Sequence, residues 1–177
     1  IRPNEFEVLL YEFKADLDHY LASANLRKAS SLKAIMALNE KLKHSELKHF
    51  GQELFAMAQS KGNLSDPKYL KAVADAKRLS GPEGIDALLN EHKLDLLIAP
   101  TTGPAWKIDH INGDHYLGSA TTPAAVSGYP HITVPMGLVR GLPVGISFFG
   151  GFNQEGKLIE AAFSYEQASQ ARVSPEL

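Results

Sequence analysis

Apolar residues in the first half of the chain recur at three-to-four spacing. In PNEFEVLLYEFKADLDHYLA, Phe6, Leu9, Leu10, Phe13, Leu17, Tyr20 and Leu21 share one stripe, which predicts an amphipathic helix with Asn4 as its N-cap. SLKAIMALNEKL repeats the pattern more briefly. SELKHFGQELFAMAQSKG predicts a further helix, capped by Ser45 and stopped by Gly62. SDPKYLKAVADAKRL opens with Asp66 as cap and Pro67 at the first helical position, a pairing that favours helix starts. SGPEG should break or kink that helix, because Pro82 lacks an amide and clashes one turn back. GIDALLNEH completes a helical portion spanning 1–92.

From Leu94 the pattern changes. LDLLIA is a short apolar run stopped by PTTGP, which predicts a buried strand ending in a turn. TTPAAVSG reads as a two-turn helix, with Thr122 as cap, Pro123 at its first position and Gly128 as stop. HITVPMGLV and LPVGISFFG are β-rich and closely spaced, so residues 131–149 should form an antiparallel hairpin with Arg140 and Gly141 in its turn. NQEGKLIEAAFSYEQASQA predicts a closing helix with Leu158, Ile159, Ala162 and Phe163 inward. The fold class is therefore α/β (mixed α+β): a helix-rich N-terminal half packed on a small mixed sheet. Residues 1–177 read as a single or partial domain, with a strand–helix–hairpin–helix portion over 93–177.

Composition narrows the functional classes. At 177 residues, 44% hydrophobic and 21% charged, the chain has the make-up of a soluble globular domain. A net charge of -2 supplies no field for nucleic acid or a membrane surface. There is no cysteine, hence no disulfide framework or thiolate chemistry. No apolar run reaches the ~20 residues that span a bilayer, and IRPNEFEVLL is not a signal peptide. A cytoplasmic location is the expectation.

The usual catalytic motifs are missing from the sequence. It contains no phosphate-cradling Gly-rich loop, no dinucleotide fingerprint and no His-Glu-x-x-His. VGISFFG fails as a nucleophile elbow because Phe149 stands where glycine is needed. His44 and His49, five apart, read as surface residues, since metal ligands on a helix converge at four. DHINGDHY, residues 109–116, admits three readings. It could hold a metal through His110 and His115, be a plain surface loop, or face a substrate. It lies between the carboxyl end of a strand and a short helix, where α/β sheets place their ligands. Asp114 could there fix a polar substrate group by a charge-assisted hydrogen bond. No metal and no cofactor are expected. Gly128, Gly137, Gly141 and Gly145 read as backbone-geometry residues.

DLLIAPTTGPAW, NGDHYLGS, SGYPHITVPMG and RGLPVGISFFG, in that order and spacing, resemble the C-terminal part of an amidase signature enzyme. YEFKADLDHYL and FGQELF resemble the bacterial branch that includes peptide amidases. The family hydrolyses amides with a Ser–cis-Ser–Lys triad on a Gly/Ser-rich signature, and no such tract occurs here. The resemblance implies the last portion of an amidase, completing its sheet and lining the substrate funnel but carrying no catalytic residue, so inactive alone. It implies that Asp114 contacts the polar end of a small amide substrate. Tyr116 and Trp106 would form an apolar wall, although simple core packing also accounts for Trp106. The implied partners are that substrate and an N-terminal portion. Leu97, Ile98, Val134, Ile146 and Phe148 read as buried on both faces of a larger sheet, so the chain alone should self-associate or its helices should rearrange to compensate. Two further readings remain: a non-catalytic binding or scaffolding domain that retains half of the fold, and a metal hydrolase built on DHINGDH.

Overall fold

The computed structural model describes residues 1–24 and 29–174. They form two compact units, Arg2–Asp75 and Ala76–Leu177 with Ile1. No described helix is long and apolar enough to cross a membrane.

The first unit is helical: α1 (Arg2–Ser23), α2 (Leu32–Lys41), α3 (Lys43–Glu46), α4 (Glu53–Gln59) and the start of α5 (Pro67–Ser80). Leu10, Leu32 and Ala58 form its core, flanked by Leu17, Met36 and Phe55. Polar side chains fasten this small core. Tyr11 donates to Asp66 at 2.8 Å, Tyr69 to Glu12 at 2.7 Å, and Lys61 to Glu7 at 2.7 Å. The Asp66 carboxylate and burial together push the Tyr11 phenol up to about 12. Asp66 also accepts from the Lys68 amide at 2.9 Å, so it caps α5 as expected.

Three expectations fail in this unit. Helix α1 begins before Asn4, which is therefore not its cap. Its buried face is turned toward Leu10, Tyr11 and Leu21, leaving Phe6, Leu9, Phe13 and Tyr20 exposed, with Tyr11 held inward by its bond to Asp66. The single helix expected from Ser45 to Lys61 is two, with Ser45 inside α3. Gly51 weakens the helix between them. Gln52 there is tied to α2 instead, accepting from Asn39 at 3.0 Å and donating to the Met36 carbonyl at 3.3 Å.

In the second unit α5 does not break at Pro82. It passes through a π-helical turn, Gly81–Ile85, into α6 (Asp86–His92). The wider turn lets the Asp86 amide reach the Gly81 carbonyl. Gly84 is required there, since a Cβ would lie 2.6 Å from the Leu79 carbonyl oxygen. Strand β1 (Leu97–Pro100), helix α7 (Thr122–Ser127), strands β2 (His131–Val139) and β3 (Leu142–Phe149) and helix α8 (Glu155–Ser169) follow. The N-cap of α7 is Thr121, one residue ahead of the expected Thr122.

The fold class is the expected mixed α and β, with the three described strands antiparallel in the order β1-β3-β2. The hairpin forms in the expected register. Val139 pairs with Leu142 across Arg140 (φ 52°) and Gly141 (φ 81°), the left-handed pair that a two-residue turn needs. A register shift between Pro135 and Gly137 accommodates the missing proline amide in β2, an edge strand of this sheet. One sheet face, with Leu97, Ala99 and Phe149, packs on Ile85, Leu89 and Ala124. The other, with Ile132, Val134, Ile146 and Phe148, packs on Leu158 and Ala162 of α8.

Two burial expectations are corrected. On α8, Leu158 and Ala162 are buried, but Ile159 and Phe163 are about three-fifths exposed at 60% and 61%. The inward stripe continues instead through Ala161 and Tyr165, whose ring meets Phe148 edge-on at 5.7 Å. In the sheet Phe148 is buried and Leu97, Val134 and Ile146 are half-buried, whereas Ile98 is 60% exposed. The described helices do not cover both faces of the sheet along their full length.

Candidate functional site

The segment from Thr101 to Thr121 joins β1 to α7 and carries the polar cluster 109–116. Its base is clamped to the sheet by backbone pairing. The Thr101 amide donates to the Gly145 carbonyl at 2.8 Å, and the Ala120 amide to the Thr101 carbonyl at 3.0 Å. Thr102 bridges Ser119, and its hydroxyl donates to the Gly118 carbonyl at 3.0 Å. The two ends of the loop are thus held side by side, so the residues between them project as one hairpin-like excursion.

Asp109 organises the tip. One carboxylate oxygen accepts from the amides of Ile111 (2.8 Å) and Asn112 (2.9 Å), the other from the Asn112 side chain (2.8 Å). Its carbonyl accepts from Gly113, which stands at φ 80°. The Asn112 bonds, then the Ile111 amide, hold the Asp109 carboxyl below its ordinary range. Half of the acidic content of DHINGDHY is therefore spent on the backbone. Sequence reasoning missed this role, although an Asp followed by Asn and Gly three and four residues on carries the signal of an Asx turn. Ile108 and Ile111, 83% and 93% exposed, are displayed on this tightened tip.

The three site residues expected from the sequence come together. The Trp106 indole Nε1 donates to Asp114 Oδ1 at 3.2 Å. Its ring meets that of Tyr116 edge-on, with centroids 6.2 Å apart at 64°. All three are exposed, so Trp106 is not a core residue. The loop from Trp106 to His115 encloses an open cavity of about 820 Å³. A second, of about 450 Å³, lies at the loop base between Ala99, Thr102, Leu117 and Ser119. Among the described residues no group of three or more His, Asp or Glu is placed to hold a metal ion.

A line of hydroxyls crosses the sheet beside the loop base, and sequence reasoning missed it too. Buried Ser147 donates to Thr101 at 2.8 Å, Thr101 lies 2.5 Å from Thr133, and Thr133 donates to the Ile146 carbonyl at 3.2 Å. Gly145 leaves room for this line, because a Cβ would sit 2.8 Å from the Thr133 hydroxyl. Among the described residues its partners are hydroxyls and a carbonyl. None is a base that would turn a hydroxyl into a nucleophile. Nearby, Tyr129 donates to Asp86 at 2.6 Å, which raises the Tyr129 pKa. His131, beside the Phe149 ring at 6.1 Å, has its Nε2 buried without a partner among the described residues, and burial lowers its pKa.

Comparison with known proteins gives one consistent result. A family model described as Amidase matches residues 2–159. A probable amidase of Arabidopsis thaliana is 36% identical over 171 residues, covering 95% of this chain and 30% of its own length. A glutamyl-tRNA(Gln) amidotransferase subunit from Pseudomonas aeruginosa is 33% identical over 165 residues, 84% of this chain and 33% of its own. Among solved structures, the native peptide amidase from Stenotrophomonas maltophilia superposes with a TM-score of 0.88 at 46% identity, covering 99% of this chain and 35% of that one. An amidase family protein from Bacillus anthracis superposes at 0.73 with 27% identity, covering 97% of this chain and 31% of that one. The chain spans about a third of the length of these relatives.

Proposed function

The chain belongs to the amidase family, and from that premise we propose that it is the C-terminal portion of an enzyme that hydrolyses a carboxamide C–N bond. In that role it supplies strands and one wall of the substrate pocket, while the catalytic Ser–cis-Ser–Lys set lies in an upstream portion. The observation that carries the reading is the convergence of Trp106, Asp114 and Tyr116 on one loop at the carboxyl end of β1. Asp114 accepts hydrogen bonds from the polar end of the amide, and the two rings wall its apolar part. The uncovered side chains of Ile98, Ile159 and Phe163 await the upstream portion, or a second copy of the chain in its absence. A cytoplasmic location belongs to the same proposal.

Amide cleavage needs an activated nucleophile, a proton donor for the leaving nitrogen and donors for the oxyanion. Among the described residues the hydroxyl line through Ser147, Thr101 and Thr133 has no base as a partner, which supports the reading that the chain alone turns over no amide. The test compares this chain, the longer polypeptide containing it, and that polypeptide with Asp114→Asn, on small carboxamides. The expected result is no turnover by the chain alone. In the longer enzyme kcat/KM should fall about 10- to 150-fold on substitution, the usual consequence of losing one charged hydrogen bond. Turnover by the isolated chain overturns the division of labour. An unchanged kcat/KM removes Asp114 from the substrate site.

A further inference from the structure

Trp106 is exposed, and so is Asp114. A carboxylate on an exposed loop samples several rotamers, and each ordered hydrogen bond to substrate must first overcome that freedom. The indole N–H on Asp114 Oδ1 removes it. The edge of the Trp106 ring in turn rests against Tyr116, and the Asp109 turn stiffens the chain between them. Indole is a donor with no acceptor of its own, so it binds the carboxylate and leaves the second oxygen for another donor.

We infer that Trp106 is a positioning residue, acting through Asp114: its Nε1–H fixes one carboxylate oxygen so that Oδ2 is presented, already oriented, to an N–H donor of the amide substrate. The inference rests on the reading of Asp114 as a substrate contact and goes beyond it, because it assigns the indole nitrogen rather than the ring face as the working part of Trp106. The recognised ligand feature is a neutral or cationic N–H group beside an apolar substituent, which Tyr116 and the exposed Ile108 and Ile111 side chains would flank.

Two measurements test it. The chain has one tryptophan, so its indole N–H gives one cross-peak in a nitrogen–proton correlation spectrum. That peak shifts upfield in Asp114→Ala and stays in place in Lys107→Ala. A peak unmoved by Asp114→Ala overturns the inference, and this readout does not depend on a Trp106 variant folding. The second measurement is steady-state kinetics of the longer polypeptide carrying Trp106→Phe, Asp114→Asn, or both. Trp106→Phe keeps an aromatic wall and removes the N–H. Its KM should rise about three- to tenfold at unchanged kcat, the scale of one hydrogen bond. The double variant should be no worse than Asp114→Asn alone, because one residue works through the other. Additive losses, or a neutral Trp106→Phe beside an impaired Asp114→Asn, overturn the inference while leaving Asp114 as a substrate contact. An Asp114→Asn enzyme with unchanged KM and kcat overturns both.

Discussion

The β2–β3 hairpin and the 101–121 loop adjoin each other in one unit, yet they are ordered by different means. The hairpin repeats one backbone bonding pattern along its length, from His131 opposite Phe149 to Val139 opposite Leu142. Its apolar side chains pack on α8 from one face. Backbone pairing holds the loop at its base, and beyond it order comes from side chains, chiefly the Asp109 carboxylate at the tip and the Trp106–Asp114 bond. Redundant order survives the loss of one side chain and couples to the whole unit. Order vested in a few side chains is local, and it leaves neighbouring groups able to meet a ligand.

The largest expected effect tests the hairpin side of this contrast. Leu158 is 2% exposed and sits beneath Phe148 and Ala162. Leu158→Ala removes buried methyl groups and leaves a cavity, at a cost of about 2–5 kcal/mol. Denaturant unfolding should show the loss as a shift of the whole transition. A loss under about 1 kcal/mol would mean that α8 is not the support of the sheet.

A smaller effect comes from the start of β2. Burial holds the His131 pKa below its ordinary 6.5. The folded state therefore favours neutral imidazole, and the unfolded chain takes up the proton first as pH falls. The stabilisation is complete above 6.5 and drains away below it, until the lowered folded pKa is reached. One such group changes stability by at most about 1.4 kcal/mol per pH unit crossed. Urea midpoints from pH 7.5 to 5 should fall in the parent and flatten in His131→Phe. Parallel curves would show that other groups govern the acid limb.

The smallest global effect belongs to the loop. Asp109→Ala releases the amides of Ile111 and Asn112, and their hydrogen exchange should accelerate. The hairpin amides and the unfolding midpoint should stay where they are. Faster exchange in β2 or β3 as well would erase the distinction between the two regions.

The hairpin was legible because its signals are local: two β-rich runs, a two-residue gap, and glycine where a positive φ is needed. The start of α5 was legible for the same reason, with Asp66 and Pro67 side by side. At Pro82 a break or kink was expected, and the helix takes an irregular turn there without ending. A π-helical turn carries the chain past the proline, with the Asp86 amide on the Gly81 carbonyl, and Gly84 admits the close approach to the Leu79 carbonyl. In the candidate site, Asp114 was raised by residue type and by place after a strand, and Tyr116 and Trp106 by what the family resemblance implies. Their mutual contacts could not, since the indole bond spans eight residues of irregular backbone.

By itself the sequence determined the order of most helices and strands, though not all of their ends, the antiparallel pairing of residues 131–149 and the family to which the chain belongs. The elements follow from periodicity, capping and turn residues, all of which act within a few positions, whereas the family follows from its resemblance in the order and spacing of motifs such as SGYPHITVPMG and RGLPVGISFFG. Only the tertiary structure decided which side of each helix is buried. Tyr11 replaced Leu9 inside because Asp66 lies within reach of its hydroxyl. Ala161 and Tyr165 replaced Ile159 and Phe163 because they are the ones beneath Phe148. Periodicity says which residues can share a face, whereas the partner that covers the face comes from elsewhere in the chain, and burial follows the partner.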